Sequence, residues 1–148
     1  MTTSSVVEVL VQPSSLNRSR LGGITGVVFL RNASWSFPGP EWSDSPVVIL
    51  AWWLAALQEL TSGAPGSVSC RFMDGPFLFR VAAFDHGQWL LQCFEEPNDV
   101  PVHHAVVDPR EFLSSLRQAA VSIITACHAN GWDSPDLITL RRASLRHA

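Results

Sequence analysis

The run SDSPVVILAWWLAALQEL, Ser43 to Leu60, constrains the fold of this chain more than any other stretch. Its apolar part, Pro46 to Leu57, reaches only about 18 Å as a helix, against the roughly 30 Å of a membrane interior. A membrane anchor is therefore not expected. Ser45 reads as an N-cap, Pro46 suits the first helical position, and Asp44 lies near the positive end of the helix dipole. Thr61, Ser62 and Gly63 stop the helix. Ile49, Trp53, Ala56, Leu57 and Leu60 form one stripe, with Val48, Trp52, Ala55 and Glu59 beside it. Neighbouring residues sit about 100° apart, so Trp52 and Trp53 enter different surroundings. Such a helix must be covered on more than one side, by a sheet and by a second helix or a partner.

The flanking segments supply the sheet. Val6 to Pro13 reads as a strand, followed by a polar connection ending at Gly22–Gly23. Ile24 to Phe37 alternates, with Val27, Phe29, Ala33, Trp35 and Phe37 expected on one face. After the helix come SVSCRFM, FLFRVAAF and QWLLQCF, separated by turns at Asp74-Gly75 and Asp85-His86-Gly87. VHHAVV, Val102 to Val107, adds a further strand. The clearest helix runs from Asp108 to Asn130, with Asp108 as cap, Pro109 first, Glu111 closing a capping box, and Asn130-Gly131 at its end. Leu137 to Leu140 reads as a short strand. The expected architecture is one α+β domain over 1–148, frayed at 1–5 and 142–148. It is an antiparallel β-meander of five to six strands with two helices packed on one face.

The chain has 148 residues and is 47% hydrophobic, with six Trp and eight Phe, enough for a core without staples. Its three cysteines, Cys70, Cys93 and Cys127, are far apart, have no zinc-ligand spacing, and read as buried thiols. A net charge of −3 argues against nucleic acid as partner. The amino terminus has no basic region before an apolar run, so the expected location is the cytoplasm. His103 and His104 point to opposite faces of a strand and cannot together chelate one metal; one is expected at the sheet rim and the other in water. No GxSxG, HExxH, P-loop or dinucleotide motif is present. No catalytic residue, cofactor or metal is expected.

Charge is more informative. Asp85, Glu95, Glu96, Asp99, Asp108 and Glu111 stand against a single Arg110, whereas Arg141, Arg142 and Arg146 make the tail basic. An acidic patch beside turns suits docking on a basic protein surface. Trp42 lies beside a Pro- and Gly-rich loop, a composition common at binding hot spots, while Trp35 is expected to close one end of the core.

FPGPEWSDSPVVILAWWLAAL, then RFMDGPFLFRV and the second amphipathic helix, together resemble small bacterial immunity proteins of polymorphic-toxin and contact-dependent inhibition systems. The resemblance covers roughly Phe29 to Asn130 and rests on Trp42, Asp44, Trp53, Asp74, Gly75 and Pro76. Asp44 aside, the Ser43–Pro46 segment departs from it, as does the basic tail. It implies a cytosolic, non-enzymatic, single-domain inhibitor encoded beside the toxin it neutralises. Glu95, Glu96, Asp99, Asp85, Asp74 and Trp42 are then the expected partner-binding residues; against a nuclease, carboxylates would mimic substrate phosphate. Two alternatives stay open. One is a module that self-associates, as a homodimer, through the wide apolar helix; the other is a small enzyme or ligand-binding domain using His103 or His104.

Overall fold

A computed structural model describes residues 5–63 and 65–145. The chain is α+β, as expected, but its strands form two antiparallel sheets of four, and it has three helices rather than two. The first sheet holds β1 (Glu8–Arg18), β2 (Ile24–Arg31), β3 (Ser36–Phe37) and β4 (Ser43–Asp44). The second is the expected meander: β5 (Ser67–Arg71), β6 (Phe77–Ala83), β7 (Trp89–Glu95) and β8 (His103–Val107), in that order. Helix α1 (Pro46–Thr61) comes between the sheets in sequence; α2 (Pro109–Ala129) and α3 (Pro135–Leu145) follow.

A single six-stranded sheet does not form because α1 lies between the two sets of strands. It packs against β2 from the first sheet, against β5 and β6 from the second, and against α2 and α3. Val47, Ile49, Leu50, Trp53, Leu54, Leu57 and Leu60 are all buried. Fully burying a large apolar side chain contributes about 1.5–3 kcal/mol, so this helix is a principal source of stability. Its open stripe carries Trp52, which is 47% exposed, with Ala55 and Glu59. The adjacent tryptophans do diverge, but the Trp52 side is left largely uncovered. Ser45 occupies the cap position without making a side-chain bond to the helix.

The first sheet departs most from expectation. β1 continues through Pro13 and the serines, with a register shift between Gln12 and Asn17. There Ser15 Oγ donates to Gln12 O at 2.6 Å and accepts from Val27 N at 2.8 Å, bridging a bulge in the ladder. In β2 the buried row is Ile24, Gly26, Val28 and Leu30, with Phe29 buried as well. The expected single face from Val27 to Phe37 is interrupted because the strand stops at Arg31. Asn32 Oδ1 accepts the Ser34 N–H at 2.7 Å, and Asn32 N–H donates to Trp35 O at 2.9 Å. This turn reverses the chain, so Phe37 pairs opposite Leu30.

The meander turns one row of each strand into the core. Cys70, Phe72, Phe79, Val81, Trp89, Leu91, Cys93, Ala105 and Val107 are buried. At the end of β6 the turn Asp85–Gly87 puts His86 at φ 58° and Gly87 at φ 72°. Ser5 N–H bonds to Val106 O and Val9 N–H to Ser115 Oγ at 2.8 Å, so the start of the chain links β8 to α2.

Helix α2 begins as expected, with Asp108 accepting from Arg110 N and Glu111 N. Glu111 makes no reciprocal side-chain bond among the described residues, so the capping box is one-sided. Its end is a Schellman turn: Gly131, at φ 71°, donates to His128 O, and Trp132 N–H donates to Cys127 O at 3.0 Å. The expected strand at Leu137–Leu140 is instead part of α3. Ser134 Oγ accepts Leu137 N–H at 3.2 Å, and Leu137, Leu140 and Ala143 form a buried stripe against α1 and α2. Residues 142–145 are therefore helical, not frayed; residues 1–4 and 146–148, Arg146 included, lie outside the described residues.

Among the described residues no helix is long and apolar enough to cross a membrane.

Candidate functional site

One end of the meander draws together most of the residues singled out above. The β5–β6 turn and the β7–β8 loop lie side by side there, joined by a Glu96 N–H bond to Pro76 O at 2.8 Å, and Phe77 pairs opposite Glu95. Gly75 sits at φ 73°, and a Cβ there would fall 2.8 Å from the Phe77 ring, so glycine allows this turn to close over Phe77. Trp42 lies across the same ring, edge to face at 5.1 Å.

Asp44 organises this end. Its side chain is fully buried, and its carboxylate accepts from Ser45 N at 2.7 Å and Trp42 Nε1 at 3.0 Å. Met73 N and Asp74 N each donate to it at 3.1 Å. The segments EWSD and MDGP are therefore bonded to one another through a single carboxylate. Trp42 is half-buried with its indole N–H already satisfied, so it supports the surface and is not a free anchor.

Asp74, Glu95, Glu96, Asp99 and Trp42 come together at this end. Asp85 does not: its turn lies at the opposite end of β6, roughly 20 Å away at about 3.3 Å per residue. Glu96 is held by Arg71 in a two-pronged ion pair, 2.7 and 3.1 Å. Hydrogen bonding from Arg71 holds its carboxyl below the usual range. Asp74, Glu95 and Asp99 remain exposed and have no ion-pair partner among the described residues.

Three residues at this end escaped the sequence reading. Met73, Val100 and Val102 are 45%, 70% and 47% exposed, interleaved with the free carboxylates. The available signal was apolar side chains inside the turn segments MDG and NDVPV, where no other element covers them.

His103 stacks on Trp35 with ring centroids 4.8 Å apart and planes 6° from parallel, while His104 is exposed. The two histidines thus fall as expected, at the rim and in water, and Trp35 seals the gap between β3 and β8. Cys70, Phe79, Cys93 and His103 follow one another in register across β5 to β8. Cys70 and Cys93 are two strands apart, roughly 10 Å, beyond disulfide reach. Burial pushes both thiols well above their ordinary range and raises that of Cys127, where Arg141 partly offsets the effect. Among the described residues no three His, Cys, Asp or Glu side chains are grouped to hold a metal ion.

Burial lowers the His103 pKa from 6.5. The unfolded chain therefore binds more protons than the folded one below that pH. The His103 contribution is complete above about pH 6.5 and is lost as pH falls through the lowered value. Urea midpoints at about pH 7.5 and about pH 5.5 should show this fall, and His103→Phe, which keeps a ring on Trp35, should reduce it. An unaltered pH slope in the variant would remove His103 as its source.

Taken together, fold and surface define an α+β protein with exposed carboxylates and apolar side chains side by side at one end of a meander. Comparison with known protein families, with curated proteins and with solved structures gave no match.

Proposed function

We propose that this chain is a non-enzymatic, immunity-type protein that binds a cognate bacterial toxin and covers its active site. The observation that carries the reading is the meander end itself. Asp74, Glu95 and Asp99 are free carboxylates set among the exposed Met73, Val100 and Val102. Apolar anchors with a charged rim suit a protein surface of opposite charge. The Asp44 bonds and the Arg71–Glu96 pair hold the two loops in place, so little ordering cost would remain on binding. Against a nuclease, the three carboxylates would occupy positions otherwise taken by substrate phosphates.

The test uses the protein encoded beside this chain as the toxin. Co-expression should relieve its growth arrest, and the two should purify as a complex. Replacing Asp74, Glu95 and Asp99 together by Asn, Gln and Asn should slow association about tenfold at low salt and flatten its salt dependence. Replacing Asp85, at the far end, should change neither. Equal kinetics for the triple variant and the native chain would rule out this end as the docking surface; absence of any complex would rule out the function.

A further inference from the structure

The helical layer contains a second feature, built from α2, α3 and their connection alone. The Schellman turn carries Trp132 back over the end of α2, and α3 then returns alongside it. Between them lies a groove of about 760 Å³ lined by Ile124, His128, Trp132, Asp133 and Arg141, within the size range of small-molecule sites. Its apolar surface is Ile124 and Trp132, both half-buried.

Arg141 gives the groove its polarity. Its side chain is 37% exposed, and its nearest carboxylate, Asp133, stands 3.9 Å away, beyond hydrogen-bond distance. The five guanidinium N–H groups and the Trp132 indole N–H have no hydrogen-bond partner among the described residues. A guanidinium with open donors and an aromatic side chain lining the same groove suit a flat ring bearing an anionic oxygen group. The ring packs on the indole, and the anion meets the planar guanidinium fork.

We propose that the α2–α3 groove is a binding site for a small aromatic carboxylate or sulfonate, with Arg141 holding the anion and Trp132 the ring. This site is independent of the acidic end of the meander and of any toxin.

The probe is anilinonaphthalene sulfonate, titrated into the full chain and followed by fluorescence, with phenylnaphthylamine as its neutral counterpart. The sulfonate should bind saturably at a single site. Arg141→Gln should weaken it about tenfold, the loss expected for a charge-assisted contact, while Arg142→Gln, one residue on, should leave it unchanged. The neutral probe should bind the native chain about tenfold more weakly than the sulfonate. No saturable binding below about 1 mM overturns the proposal. So does equal affinity for Arg141→Gln, or a neutral probe that binds as tightly as the anion. The probe comparison uses only the native chain, so it decides the matter even if a variant folds poorly.

Discussion

Asp44→Ala should cost about 3–5 kcal/mol of folding stability, a large share of the roughly 5–15 kcal/mol that holds a domain together. The carboxylate is fully buried with no paired cation among the described residues, and four N–H donors supply the solvation that water would otherwise give. The start of α1 directly after it adds its positive dipole end. Removing the side chain strands donors from two segments at once, and each unsatisfied group costs about 1–3 kcal/mol where water cannot replace the acceptor. Asp44→Asn keeps one acceptor oxygen but turns an NH₂ group toward donors, so an intermediate loss of about 2 kcal/mol is expected. Urea denaturation measures both, and amide exchange at Met73 and Asp74 should quicken in step. A midpoint for Asp44→Ala within about 1 kcal/mol of the native chain would show that the carboxylate is not the hub.

Trp53→Ala should be comparably damaging, at about 3–5 kcal/mol, while Trp52→Ala, one residue earlier, should stay within about 0.5 kcal/mol. Trp53 is fully buried and meets Phe72 and Phe79 edge to face at 5.0 and 4.9 Å. Its indole N–H donates to Arg71 O at 2.8 Å, fastening α1 to β5. Phe79 is in turn packed on Phe112 of α2, which limits how far the aromatic cluster can collapse into the space left. Trp52, on the open stripe of the same helix, has little packing to lose. Parallel urea titrations of the two variants would expose the contrast; similar losses at both positions would mean that the Trp52 side is covered after all.

These two effects differ in how far the amino-acid order foretells them. The divergence of Trp52 and Trp53 follows from helical geometry, and the meander was readable because alternating strands meet at turns such as Asp85-His86-Gly87. The start and stop of α2 were equally plain from Asp108-Pro109 and Asn130-Gly131. Helix α3 was hidden by Leu137-Ile138-Thr139-Leu140, whose composition suits a strand; the Ser134-Pro135 start and the Leu137–Leu140–Ala143 spacing carried the better signal. In β2 the misassigned face traces to Asn32, whose side chain makes a turn where alternation alone would continue the strand. For the candidate site, the acids around Glu95 were legible as charge. Alternate turns of a meander share an end, which places the Asp74 turn with that loop and the Asp85 turn opposite; the Glu96–Pro76 bond that joins the two loops depends on strand register and was not legible. The role of Asp44 rests on bonds to residues 29 and 30 positions away, and local pattern gives no access to such distances.

The three cysteines equip this molecule with its own reporters. With their thiols buried in the packed interior and protonated, a sulfhydryl reagent finds nothing to label while the layers stay shut. Uptake of label therefore times the moments when the protein breathes. Cys70 and Cys93 would register the parting of the strands, and Cys127 the loosening of the helices, so the two layers can be clocked separately without adding a probe.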